Sequence, residues 1–132
     1  MRNKAIKIIN RSNKDVDELE DLLYDFLPFA KKRLKFMSFP PIYFMSDKRN
    51  SEKALGKTAY YSPEMYSVSV YVDGRHTKDI LRSIAHELVH HRQNEKGRFD
   101  NLETIGSPGY AQDDQYLRKM EEEAYLLGNM CF

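Results

Sequence analysis

Two periods run through the apolar positions of this chain. Residues 4–9 (Lys-Ala-Ile-Lys-Ile-Ile) form a short β-branched run and predict a first strand. Ser12-Asn13 then offers a helix cap, with Asp15, Asp17 and Glu18 in the first turn, where the helix dipole favours anions. Val16, Leu19, Leu22, Leu23, Phe26 and Ala30 follow at helical spacing, and Lys31, Lys32 and Arg33 close the segment. Pro28 is expected to kink or split this helix. Pro40-Pro41 ends the region. Three strand-like pieces come next: Ile42–Met45, about Thr58–Tyr61, and Tyr66–Val72. In the last, Tyr66, Val68, Val70 and Val72 alternate with Ser67, Ser69 and Tyr71. That pattern predicts a half-buried strand with one face toward water or a ligand. Asp73-Gly74 turns the chain.

The period then returns to 3.6. A second helix is expected from Thr77, as its cap, to about Lys96, with Gly97 ending it and Ile80, Leu81, Ile84, Leu88 and Val89 supplying its apolar side. Residues 98–112 read as a loop, given Gly106, Pro108 and Gly109. A third helix is expected from Asp113-Asp114 to about Leu127, with Gly128 ending it. Strand, helix, three strands, helix, helix is the order of an α+β domain with its helices segregated from a small sheet. At 132 residues the chain suits one domain, 1–132.

Composition narrows the function classes. Lys plus Arg is 21 and Asp plus Glu is 20, a net charge of +1, so the chain lacks the basic excess of an electrostatic nucleic-acid binder. Hydrophobic residues make up 41%, which argues against disorder. The one cysteine, Cys131, rules out an internal disulfide. No apolar run is long enough for a membrane span, and Lys7 interrupts the only signal-like stretch. The expected setting is soluble and reducing: a cytoplasm, or a virion or host cell if the chain is phage-encoded.

His86-Glu87-Leu88-Val89-His90 lies inside the second helix. Positions i and i+4 share a helix face, so both imidazoles can hold one divalent ion. Glu87 sits about 100 degrees round the helix, within reach of a water at that ion. A catalytic zinc site needs a third protein ligand and an open fourth position. Lys96 stands where an extended pattern would have a third histidine, and Gln93 where it would have a glycine. His91 points away from His90 and reads as a surface or orienting residue. The third helix offers Glu121-Glu122-Glu123: Glu122 falls toward solvent, and Glu121 and Glu123 on the two borders of the apolar stripe made by Tyr116, Leu117, Met120, Ala124 and Leu127.

His-Glu-x-x-His on one helix with Glu-x-x-Ala on a later one resembles the gluzincin metallopeptidases. The small size resembles their single-domain minigluzincin forms and the small metallopeptidase-like proteins of phages and bacteria. The match covers mainly residues 77–128. It implies a zincin-like domain with a small, mostly antiparallel sheet, an N-terminal helix, an active-site helix and a C-terminal glutamate helix. It selects Glu121, three residues before Ala124, as the third ligand beside His86 and His90. Zn²⁺ is the implied cofactor, Glu87 the implied general base, and a protein or peptide the implied substrate, with no nucleic acid or membrane partner. Many relatives carry Asp or Asn after that Ala to orient a ligating His; here Tyr125 stands there.

Further expectations follow from this resemblance. Tyr110 is the first candidate for an oxyanion donor, with Tyr116, Tyr125 and His76 competing. The strand Tyr66–Val72 could take an extended peptide along its edge. A thiolate at Cys131 could serve as a latent fourth ligand if the terminus folds back. The alternative is a catalytically inactive zinc-binding interaction or structural protein of the same fold. A DNA-associated SprT-like protease would want a basic patch or a zinc ribbon, and one cysteine cannot build a ribbon. The cluster Lys31-Lys32-Arg33-Lys35 is accounted for as a helix carboxyl end.

Overall fold

A computed structural model describes residues 3–46, 58–97 and 110–131, with side chains in the last segment from Arg118 onward. The first strand is shorter than the β-branched run suggests. Asn3 gathers the backbone N–H groups of Ala5 and Ile6 into a turn, so β1 spans only Ile8–Asn10. Ser12 and Asn13 do not cap the following helix. Ser12 donates its N–H to the Asn10 side chain, and Asn13 bonds Ser46. The cap position is Val16, and α1 spans Asp17–Leu34.

Helix α1 runs unbroken through Pro28. Its buried stripe, Leu19, Leu23, Leu27, Ala30 and Leu34, continues on both sides of the proline. A proline inside a helix costs about 3 kcal/mol. Burying a leucine side chain returns roughly 1.5–3 kcal/mol, so the wholly buried Leu23 and Leu27 offset that loss. Lys35 ends the helix in the left-handed conformation, φ 62°, with its N–H on the Lys31 carbonyl.

The sheet contains β2 (Ile42–Met45), β3 (Ala59–Ser62) and β4 (Ser67–Tyr71), in the order β1-β2-β4-β3. It is mixed, and the expectation of a mostly antiparallel sheet fails. β1 with β2 and β2 with β4 are parallel; only β3 with β4 is antiparallel. For β1 and β2 the cause is α1, a crossover that returns the chain to the starting end of the sheet before β2 begins. Phe44, Ile42, Val68 and Val70 face inward and join Leu23, Leu27, Ile84 and Leu88 in one core.

Strand β4 is buried on both faces, not one. Ser69 stands in register between Tyr43 and Tyr60, whose larger side chains flank it on the outer face. Nor is β4 an edge. It lies between β2 and β3, so the sheet edge beside the remaining helices is β3. Tyr66 belongs to the turn before β4, with φ 51°.

Helix α2 spans Thr77–Glu95, with His76, not Thr77, at the cap position and no side-chain cap. Gly97, φ 76°, takes the left-handed geometry just beyond it, as expected of its terminator. Arg75 ties the start of α2 to the sheet. Its guanidinium donates to the carbonyls of Thr58, Tyr71 and Asp79 and to Ser83 Oγ. Helix α2 touches α1, β3, β4 and the last helix, and after Arg82 none of its residues is exposed.

Helix α3 spans Tyr110–Asn129. It starts before Asp113 and runs through Gly128, which is therefore no terminator. Gly128 instead allows close contact: a Cβ there would lie 3.1 Å from the His86 backbone nitrogen and 3.2 Å from its Cα. The rest of the expected loop, residues 98–109, is outside the described residues. Among the described residues, no helix is long and apolar enough to cross a membrane. Among the described residues, three helices and a four-strand mixed sheet make a small α+β domain.

Candidate metal centre

The i, i+4 spacing on α2 brings the His86 and His90 rings to a centroid distance of 5.0 Å, edge to face. Glu121 enters from α3. Its Oε2 lies 3.2 Å from His86 Nε2, and its Oε1 2.7 Å from His90 Nε2. One ligand atom from each of these three residues falls within 4.8 Å of the others. Zinc–ligand distances of about 2.0–2.2 Å in a tetrahedron place neighbouring ligand atoms roughly 3.3 Å apart, close to the 3.2 Å between Glu121 and His86 and wider than the 2.7 Å between Glu121 and His90.

The hydrogen bonds say which atoms face the centre. Gln93 is fully buried, and its Nε2 donates to the Met120 carbonyl and to Glu123 Oε1. Its Oε1 is therefore the atom 2.8 Å from His90 Nδ1, and Nδ1 carries a hydrogen to donate to it. His90 Nε2 is left facing a carboxylate oxygen. That contact is 2.7 Å long, and an ion held by both atoms would spread them to roughly 3.3 Å. Burial, and then the neighbouring His90, hold the His86 pKa below its ordinary value, against an opposing pull from Glu121. Neutral imidazole is the form that ligates a metal.

Glu87 is buried beside this set, and its carboxyl is pushed up to about 8 by burial first and by the Glu121 carboxylate second. A cation among the three ligands would cancel part of that second effect. The site is open on one side: the Glu121 side chain is 53% exposed, the His90 side chain 9%. It borders a cleft of about 770 Å³ whose other wall is the edge strand β3, with Thr58, Ala59, Tyr60 and Tyr61. Arg82 and Ser83 line the cleft one turn before His86, and Tyr125 and Asn129 line it from α3.

Several residues fall elsewhere than the sequence suggests. His91 is not on the surface but 1% exposed. It donates from Nε2 to the Ser38 carbonyl and accepts the Tyr61 hydroxyl at Nδ1. The helix-wheel argument fails here because α2 is packed on nearly every side. Tyr125 meets His86 ring to ring, centroids 4.5 Å apart, and does not take the orienting hydrogen-bond role of an Asp or Asn. His76 borders a different cleft, with residues of the start of α1. Cys131 is buried in the apolar core and is no part of the ligand cluster; burial pushes its thiol up. Glu122 is exposed as expected, and Glu123 reaches Gln93, not the centre. The side chains of Tyr110 and Tyr116 lie outside the described residues. The roles of Gln93, Gly128 and Arg75 were not read from the sequence, because each acts on a residue distant along the chain.

Compared with known families, curated proteins and solved structures, this chain matches none.

Proposed function

We propose that the chain is a zinc-dependent metallopeptidase of the zincin-like, minigluzincin kind. His86, His90 and Glu121 would hold the ion, and Glu87 would act as general base. One observation carries this reading: a single carboxylate from α3 meets the Nε2 atoms of both imidazoles of α2, with a buried carboxyl next to them. Two imidazoles and one carboxylate with an open side suit catalytic zinc. When bound, zinc supplies Lewis acidity toward a water and a scissile carbonyl.

The chain's own residues supply the rest. Glu87, buried beside the ligands and lining the cleft, takes up a proton there as a carboxylate and returns it to the leaving amine. Strand β3 replaces Tyr66–Val72 as the segment along which an extended peptide can pair, because β3 is the edge that borders the cleft. Tyr60 and Tyr125 line the same space and offer aromatic surface to a substrate side chain.

The test is hydrolysis of denatured casein by the zinc-loaded chain beside Glu87→Gln. Wild-type cleavage that falls by about 10²–10⁴-fold in Glu87→Gln, at equal zinc content, supports the proposal. Zinc uptake without cleavage favours the alternative, a zinc-binding interaction or structural protein.

A further inference from the structure

Gln93 stands three residues after His90, so its side chain lies beside that imidazole on α2. It is fully buried and uses all of its amide. The oxygen receives the His90 Nδ1 hydrogen at 2.8 Å; the nitrogen donates to the Met120 carbonyl at 3.0 Å and to Glu123 Oε1 at 3.2 Å. Met120 directly precedes Glu121. One side chain thus grips a ligand on α2 and the backbone that presents a ligand on α3.

We propose that Gln93 is a positioning residue that fixes the ring orientation of His90, keeps Nε2 as its ligating nitrogen, and registers the Glu121 turn of α3 against it. This rests on the three-ligand metal reading above. An amide fits the task because it combines one acceptor with two donors. A carboxylate would keep the acceptor, lose both donors and repel Glu123. A thioether such as Met fills the volume and leaves the His90 Nδ1–H and the Met120 carbonyl without their partner. Groups that orient a metal-ligating histidine typically matter 10–100-fold in metal affinity.

The experiment is zinc titration of the chelator-stripped full chain, as wild type, Gln93→Met and Gln93→Glu, with helix content and melting temperature of each metal-free protein. Zinc affinity is expected to fall about 10–100-fold in Gln93→Met and by less in Gln93→Glu, which retains an acceptor opposite Nδ1. Equal affinity of folded Gln93→Met and wild type overturns the role of Gln93. No zinc uptake by wild type brings down the metal reading itself, and that outcome is distinct. Should Gln93→Met fail to fold, nuclear magnetic resonance of the zinc-loaded wild type decides. A slowly exchanging His90 Nδ1 proton correlated with Gln93 is expected; an Nδ1 proton in free exchange with water, or ligation through Nδ1, overturns the proposal.

Discussion

Gly128→Ala sets two effects of opposite sign against each other. In a helix interior, alanine is favoured over glycine by about 1 kcal/mol. Gly128 lies within α3, so propensity alone makes the substitution stabilising. The added methyl, however, would sit 3.1 Å and 3.2 Å from the His86 backbone nitrogen and Cα and 3.4 Å from the Ala85 carbonyl carbon. These are backbone atoms in the middle of a packed helix and cannot swing aside, so α3 must move away from α2. Overpacking of this kind costs about 1–3 kcal/mol. The net is a loss of roughly 0–2 kcal/mol. For a chain of this length that lowers the melting temperature by up to roughly 8 °C. The displacement also draws Glu121, two turns earlier on α3, from the two imidazoles. Zinc affinity should fall tenfold for about each 1.4 kcal/mol of strain placed on the ligand set. Calorimetric melting of the metal-free chain and zinc titration read the two effects separately. A Gly128→Ala chain that melts higher by the full propensity gain and binds zinc as wild type does would refute this account of the α2–α3 contact.

Other substitutions probe other parts. Among Glu121→Ala, Glu122→Ala and Glu123→Ala, only the first should abolish zinc content, measured by elemental analysis; Glu122→Ala should also leave the unfolding free energy within about 0.5 kcal/mol of wild type. Loss of zinc in Glu123→Ala alone would move the third ligand. Arg75→Lys keeps the charge but not the fork that holds β3, β4 and α2 together. It should cost about 2–4 kcal/mol in denaturant unfolding. Burial pushes the Tyr61 hydroxyl up to about 12 in the folded chain, from an ordinary value of 10.0. Its contribution to stability is therefore complete below pH 10 and is lost as pH rises from 10 toward 12. Tyr61→Phe should flatten the alkaline limb of the stability curve, and an unchanged slope would contradict the assignment.

The candidate residues themselves were legible in the sequence. His86, Glu87 and His90 needed only the helical period, and Glu121 needed the period plus a resemblance to a known ligand pattern. The residues that hold these groups in place were not legible. Gln93 looked like a departure from a pattern, because its partners Met120 and Glu123 lie on another helix. Gly128 looked like a helix terminator, because nothing local shows that His86 passes beneath it. His91 looked exposed because a wheel assumes one wet side, and from Ile84 to Glu95 α2 has no exposed residue. Alternation in Tyr66–Val72 was read as one wet face, whereas cross-strand tyrosines flank the serine between them. The parallel pairing of β1 with β2 came from the length of α1, a tertiary consequence that strand patterns do not encode.

The central claim is that one metal ion is shared by two imidazoles of α2 and one carboxylate of α3. X-ray absorption at the zinc edge of the loaded chain tests it most directly. The account predicts two imidazole nitrogens at about 2.0–2.1 Å, with the remaining ligands oxygen at about 2.0–2.2 Å. A sulfur neighbour at about 2.3 Å, as Cys131 would give, or a shell without imidazole scattering, would contradict it.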